Sequence, residues 1–167
     1  MTDGHFNGSC SCGNATYRLH DTALVVHACH CRMCQRLSGS TNAVNAVIEA
    51  DKVEHLSGEL TQIEAPTPSG LGQLITRCAT CHTALWSEYR AMSGLCKTRL
   101  CFIRAGTLDQ AEAFAPDVHI FADQMQPHFT PGDETPVFGA FYDLRYVWSQ
   151  ASLERLAAAR SRNPLPT

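Results

Sequence analysis

The sequence predicts a single, mainly β domain with one helix near its C-terminus. Short runs of β-branched, aromatic and other apolar residues recur along the chain, clusters of Gly, Pro, Ser or Cys separate them, and only two stretches have helical character. With 167 residues, the chain is long enough to bury a core without covalent staples. We therefore expect residues 1–148 to form a β domain and residues 149–167 to add its C-terminal helix and tail.

Eight segments have the composition of β-strands. Their apolar residues alternate in part with polar ones, as expected for strands with one buried face. These segments are residues 14–19, 42–50, 60–65, 73–76, 84–89, 99–106, 118–123 and 138–148. The helical stretches are residues 32–37, which end at Ser38 and Gly39, and residues 152–162, for which Ser152 is the candidate N-cap. Most of the regular structure is thus expected to be strand.

Composition and charge argue against several classes of partner. The net charge is −3, with 44% hydrophobic and 17% charged residues, which is an ordinary globular balance. Because the chain has no lysine-rich run and no interleaving of aromatic and basic residues, we expect neither a nucleic-acid nor a membrane partner. It lacks a basic, apolar leader and any run of about 18 apolar residues, so a cytoplasmic location is expected. Oligomeric state does not follow from these features.

Nine cysteines dominate the chemistry of the sequence. In a reducing compartment cysteines favour metal ligation over disulfides, and complete pairing of an odd number is impossible. They form four groups: Cys10 and Cys12; Cys29, Cys31 and Cys34; Cys78 and Cys81; Cys96 and Cys101. The first and third groups have metal-binding spacing and lie beside turn residues. Together they predict one closed structural zinc held by four thiolates.

Two alternatives remain for these pairs. Either pair could consist of buried free cysteines, which behave as small hydrophobic residues. Cys78 and Cys81 could also form a redox CxxC motif, although such a motif usually opens a helix and "CATCHTALW" leads into a β-like run. The closed zinc site is the economical interpretation because it uses all four cysteines at once.

The group Cys29, Cys31 and Cys34 has no matching fourth cysteine at comparable spacing. Three protein ligands and one exchangeable position are typical of catalytic zinc, whereas structural sites are closed. This trio therefore predicts an open zinc that activates a thiol or a water molecule. A fourth protein ligand would instead close the site. The candidates for that ligand are His30, Cys96 and Cys101, of which the two cysteines are otherwise expected to be core or semi-exposed thiols.

Arginine and serine side chains flank the cysteine motifs. Arg32 and Arg36 lie beside the trio and Arg77 lies beside the CxxC pair. Each of these arginines can receive a carboxylate or remain a solvated surface charge. Ser38 or Ser40 can donate a hydrogen bond to a developing oxyanion, or can cap the short helix or fill a turn.

The order of these motifs resembles that of the glutathione-dependent formaldehyde-activating enzymes, a family that also includes centromere protein V. The resembling segments are residues 8–17, 29–40, 77–85, 105–110 and 116–121. The resemblance implies packed antiparallel sheets like those of methionine-R-sulfoxide reductase B and of zinc-containing Rab chaperones. It also implies two zincs per chain, and the same division of ligands: Cys10, Cys12, Cys78 and Cys81 for the structural zinc; Cys29, Cys31 and Cys34 for the catalytic zinc.

The resemblance further implies a carbon–sulfur lyase reaction in which glutathione adds to formaldehyde and gives S-(hydroxymethyl)glutathione. Small thiols and aldehydes are therefore the expected partners, with Arg32, Arg36 and Ser38 as candidate substrate-binding residues. Two positions depart from the family pattern: His82 stands where a glycine usually follows the CxxC pair, and His128 lies nearest to a frequent tryptophan. The alternatives are a zinc-ribbon binding module and a metal carrier or chaperone without catalysis.

Overall fold

The computed structural model describes residues 4–132 and 134–165, and it places ten strands and three α-helices in them. The strands are β1 (Phe6–Ser9), β2 (Thr16–Leu19), β3 (Val25–Cys29), β4 (Ala43–Glu49), β5 (Val53–Ser57), β6 (Leu60–Ala65), β7 (Gln73–Cys78), β8 (Ala84–Tyr89), β9 (Leu100–Arg104) and β10 (Val118–Ile120). The helices are α1 (Arg32–Ser38), α2 (Arg90–Cys96) and α3 (Gln150–Arg162). The predicted mainly β class with a C-terminal helix is confirmed. Residues 1–3 and 166–167, the outer ends of the two predicted ranges, lie outside the described part.

The strands form two sheets. A three-stranded antiparallel sheet has the order β1-β2-β5, and a seven-stranded sheet has the order β10-β3-β4-β9-β8-β7-β6. Neighbouring strands of the larger sheet are antiparallel except β10 and β3, which run parallel. A parallel pair needs a long connection, and six other strands and helices α1 and α2 separate β3 from β10 along the chain.

Two clusters of buried side chains cover the two faces of the larger sheet. The first cluster joins the two sheets and contains Tyr17 and Leu19 from the smaller sheet with Ala46 and Ile103 from the larger one. The second cluster contains Val47, the neighbour of Ala46 in β4. Because successive residues of a strand point to opposite faces, the second cluster lies on the other face of the larger sheet.

Helix α3 packs in the second cluster through the buried Leu156. Arg155 on the same helix donates to both carboxylate oxygens of the fully buried Glu49, over 2.9 and 2.8 Å. Ser149 caps the helix by accepting from the Ser152 N–H, so the predicted N-cap at Ser152 is wrong by one turn. No described helix has both the length and the apolar character needed to cross a membrane.

The predicted strand at residues 138–148 is wrong. This segment contains a short 3-10 turn, Leu144–Tyr146, which begins because the Asp143 carboxylate accepts from the Arg145 N–H. Four of its five aromatic residues, among them Tyr142, pack in the second cluster. Strands β1, β3 and β5 and helix α2 were not predicted from the sequence. Strand β3 is buried along its whole length, and such a strand shows no alternation of apolar and polar residues.

Candidate functional site

Four cysteine sulfurs from distant parts of the chain converge in the first candidate metal site. The Sγ atoms of Cys10, Cys12, Cys78 and Cys81 all lie within 4.8 Å of one another. The separation is 3.4 Å between the Sγ atoms of Cys10 and Cys12 and 3.9 Å between those of Cys12 and Cys78. Tetrahedral zinc with Zn–S bonds of about 2.3 Å places its sulfurs about 3.8 Å apart. We call this group the quartet; it fits a closed, four-coordinate metal.

Hydrogen-bond donors surround the sulfurs of the quartet. The Thr80 N–H donates to Cys78 Sγ over 3.4 Å, and the Thr83 hydroxyl lies 3.1 Å from Cys81 Sγ. Hydrogen bonds from Ser11 and Thr83 lower the pKa of Cys81 to about 4. Donors of this kind stabilise the ionised form of a thiol, which is the form that ligates a metal.

His82 occupies the turn that follows the CxxC pair. Its φ of 59° lies in the left-handed region that glycine adopts without steric cost. The His82 N–H donates to the Cys78 carbonyl over 3.0 Å, and its own carbonyl accepts from Arg77 Nη1 over 2.9 Å. These bonds hold a histidine in the conformation that a glycine would take, and they give Arg77 a role in the turn. The second departure from the family pattern, His128, is exposed.

The other predicted group also comes together. The Sγ atoms of Cys29, Cys31 and Cys34 lie within 4.8 Å of one another. Cys29 ends β3, Cys31 is the N-cap of α1, and Cys34 lies in the first turn of α1, where its N–H donates to Cys31 Sγ over 3.3 Å. Within residues 4–132 and 134–165, no fourth His, Cys, Asp or Glu ligand joins this trio.

The three candidates for a fourth ligand are engaged elsewhere. His30 Nε2 lies 2.8 Å from His119 Nδ1, and the Phe129 ring packs against both imidazoles. Cys101 is buried in the first cluster and Cys96 in the second. Among the described residues, none of these candidates therefore joins the three sulfurs of the trio.

The electrostatics of the trio favour a bound cation. Hydrogen bonds from Cys29 and Cys34 lower the pKa of Cys31 to about 2. Hydrogen bonding to Cys31 and Cys34 raises the pKa of Cys29. Since neighbouring thiolates repel each other, all three sulfurs ionise together only when a cation neutralises them. The donor set therefore fits a divalent metal with one free coordination position, and loading it would release protons.

The trio lines a cavity of about 910 Å³. This volume lies near the upper end of the range of about 300–1,000 Å³ that is typical of small-molecule sites. Apolar and aromatic side chains make up much of its wall, among them Met92, Phe102, Ile120, Phe121 and Phe141. Its polar lining residues include His27, Asn45, Gln73, Ser87, Arg104 and Gln124. The cavity thus has the character of a binding site for a small organic molecule.

Three of these polar residues form one row across the sheet. His27 in β3 pairs with Asn45 in β4, and Asn45 pairs with Arg104 in β9. Paired residues of antiparallel strands point to the same face, as do residues two apart in one strand. The row therefore shares its face with Cys29. Neither Asn45 nor Arg104 was predicted as a site residue, because the register between strands is not visible in local sequence.

The predicted substrate-binding residues differ in their placement. Arg32 and Arg36 are exposed and line the cavity. Arg32 Nη1 donates to the Gln35 side-chain oxygen over 2.6 Å. The Ser38 hydroxyl donates to the Cys34 carbonyl over 2.8 Å, and Ser38 does not line the cavity. Its contacts fit the capping role, and a contact of Ser38 with substrate stays a prediction.

These features define a mainly β protein with two cysteine groups, each of which can hold a metal ion. The chain belongs to the glutathione-dependent formaldehyde-activating enzyme family, whose model matches residues 5–124. Family membership links it to glutathione and formaldehyde. No curated protein gives a significant match. A crystal structure of a Rhodobacter sphaeroides protein, a structural genomics target, is similar with a TM-score of 0.46 and 17% identity, covering 62% of this chain and 88% of that one.

Proposed function

We propose that the chain is a zinc-dependent enzyme of the carbon–sulfur lyase type. It adds a glutathione-like thiol to formaldehyde, or to another small aldehyde, and gives S-(hydroxymethyl)glutathione or its analogue. The observation that carries this proposal is the open trio in the wall of a cavity of about 910 Å³, apart from the complete quartet. Open metal sites serve catalysis and closed ones serve structure, and the family link supports the choice of substrates.

The two cysteine groups would have different roles. The quartet would hold the structural zinc, and the trio would hold the catalytic one. When bound at the trio, zinc supplies Lewis acidity that favours the thiolate form of a substrate thiol. The cavity confines thiol and aldehyde to one small volume, which raises their effective concentration. Its apolar wall reduces the access of water, which would otherwise hydrate the aldehyde.

The addition forms a bond between the substrate sulfur and the carbonyl carbon, and the carbonyl π pair moves to oxygen. That oxygen then gains a proton and becomes the hydroxyl of the product, so the proton lost from the thiol is recovered. A hydrogen-bond donor near the carbonyl oxygen would stabilise the charge that develops there. His27, in the wall of the cavity and two residues before Cys29, is suited to this role.

The hydrogen bonds behind His27 determine which ring nitrogen carries its proton. Trp148 Nε1–H donates to the Tyr142 hydroxyl over 2.9 Å, and that hydroxyl lies 2.6 Å from His27 Nε2. Since the tyrosine O–H has no other acceptor within the described residues, it donates to Nε2 and leaves the imidazole proton on Nδ1. Burial lowers the pKa of His27 to about 4. The ring is therefore a neutral Nδ1–H donor at neutral pH.

Metal counting tests the division between trio and quartet. We expect two zincs per chain, one of which mild chelation removes. Cys31→Ala should lose one zinc, whereas Cys101→Ala, at a buried cysteine outside both groups, should keep both. If Cys31→Ala retained two tightly bound zincs and still bound thiols, the trio would not be an open site.

Exchange NMR of glutathione and formaldehyde tests the reaction. The two-zinc protein should accelerate formation of S-(hydroxymethyl)glutathione above the spontaneous rate, and Cys31→Ala should not. The Cys101→Ala variant should match the wild type. A two-zinc protein that gives no acceleration would refute the reaction and favour the alternative, a non-catalytic zinc-binding module or chaperone.

A further inference from the structure

Arg104 is a cation in the cavity wall with no carboxylate partner among the described residues. Its side chain makes one hydrogen bond there, from Nη1 to Asn45 Oδ1. It takes part in none of the salt bridges found in residues 4–132 and 134–165. A guanidinium carries five N–H donors. Most of its hydrogen-bonding capacity is therefore available to a ligand in the cavity.

The strand register sets the distance between Arg104 and the trio. Arg104 pairs with Asn45, and Asn45 pairs with His27, which stands two residues before Cys29. With adjacent strands about 4.8 Å apart, the backbones of β9 and β3 are separated by about 10 Å. Arg104 and Cys29 point to the same face of the sheet. A molecule of several heavy atoms can therefore lie with its sulfur at the trio and an anionic group at the guanidinium.

Arg104 differs from the two arginines predicted from the sequence. Arg32 and Arg36 are exposed, and water screens the attraction of an exposed arginine for a carboxylate. Arg104 is half-buried on the strand beneath the cavity, and its burial lowers the pKa of the guanidinium. Charge-assisted hydrogen bonds are stronger where water is excluded. Asn45 also fixes one end of the guanidinium, which reduces the entropy lost on binding.

We propose that Arg104, oriented by Asn45, binds a carboxylate of the thiol substrate and makes the cavity selective for anionic thiols over neutral ones. This inference rests on the proposed function of the trio as a thiol-binding site. Arg104 acts on the part of the substrate that does not react, so it is a specificity residue. A planar guanidinium can bind the two oxygens of a carboxylate together.

Two series of thiols, matched in length, distinguish the contribution of the carboxylate to binding affinity from that of the sulfur. The zinc-loaded protein is titrated calorimetrically with ω-mercaptocarboxylates from 3-mercaptopropionate to 6-mercaptohexanoate, and with ω-mercaptoalcohols of the same lengths. At the best length, the wild type should bind the acid on the order of tenfold more tightly than the alcohol, because a hydrogen bond to a charged group has about that effect. Arg104→Gln should abolish this preference and leave the affinity for the alcohols unchanged.

Two further variants control for charge and for folding. Arg104→Lys should keep part of the preference, because lysine retains the charge but not the planar fork. Arg18→Gln removes an arginine from the smaller sheet, where it donates to Asn7, and should keep the full preference. Circular dichroism and zinc content confirm that each variant is folded and loaded.

The outcomes distinguish this inference from the proposed function. Equal affinities for acids and alcohols in the wild type would overturn the inference, as would a preference that survives in Arg104→Gln. Loss of zinc and of both thiol series in Arg104→Gln would assign Arg104 to the charge balance of the trio, and would also overturn it. If the zinc-loaded wild type bound no thiol of either series, the proposed function itself would fail.

Discussion

Replacement of Tyr142 by phenylalanine removes a single oxygen atom from the wall behind the cavity. That hydroxyl lies 2.6 Å from His27 Nε2 and 2.9 Å from Trp148 Nε1. All three residues are buried: Tyr142 is 7% exposed, His27 is 1% exposed and Trp148 is 4% exposed. The substitution therefore leaves an imidazole nitrogen and an indole N–H in the core without their partner.

The size of the effect follows from these two unpaired groups. A buried polar group without a partner costs about 1–3 kcal/mol, so two groups cost about 2–6 kcal/mol. His27 borders the cavity, where water can satisfy part of its demand, so we expect a loss of about 3 kcal/mol in the free energy of unfolding. For a chain of this size that loss lowers Tm by about 6–12 °C.

Urea titration and thermal unfolding of the zinc-loaded protein measure this loss. Tyr146→Phe is the matched control, because Tyr146 is 79% exposed and its change should stay within about 0.5 kcal/mol. Tyr142→Phe should also slow the glutathione–formaldehyde exchange, because nothing then holds the proton of His27 on Nδ1. Equal stability of the two phenylalanine variants would refute the hydrogen-bond chain.

Three other predictions concern stability and metal binding. Arg155→Met should destabilise the protein by about 3 kcal/mol, because it leaves the carboxylate of Glu49 buried without its main partner. Urea unfolding measures this loss, and Arg145→Met, at an exposed ion pair, is the control that should have little effect. The pKa of His27, about 4, lies below its ordinary value of 6.5, so between these pH values the unfolded chain binds a proton that the folded protein does not. The free energy of unfolding should therefore fall as the pH drops from about 6.5 to 4. If the wild type lost stability no more steeply in this range than His27→Gln, this prediction would be contradicted. Removal of the more labile zinc should leave the far-ultraviolet circular dichroism unchanged, whereas removal of both zincs should lower Tm. If Tm stayed the same after both zincs were removed, the quartet would not be a structural site.

The sequence predicted the strands with one buried face better than the fully buried ones. The β-like run at residues 60–65 coincides with β6, and the run at 84–89 coincides with β8. Strand β3 was missed because all five of its residues are buried, so no alternation marks it. At residues 138–148 a strand was predicted where none forms. The aromatic residues that suggested it pack in the second cluster from a backbone that is not a strand.

The cysteine partition illustrates how much local spacing can determine. A CxC or a CxxC pair brings two sulfurs together through one turn, and the quartet needs only one pair of each kind to meet. The structure brings together the sulfurs of both predicted groups. The substrate contacts were harder to predict. The motifs drew attention to Ser38, whereas its hydroxyl bonds to the end of its own helix.

By itself, the sequence determined the mainly β class and the two cysteine groups, because composition, periodicity and ligand spacing are local properties of a chain. It left Cys96 and Cys101 as candidates for a fourth ligand, and only the structure placed them apart from the trio. Only the tertiary structure decided what faces the trio. Arg104 lies 70 positions from Cys34 along the chain, and it reaches the cavity because β4 pairs with both β3 and β9. Register between strands depends on the packing of both faces of a sheet, and no short segment contains that information.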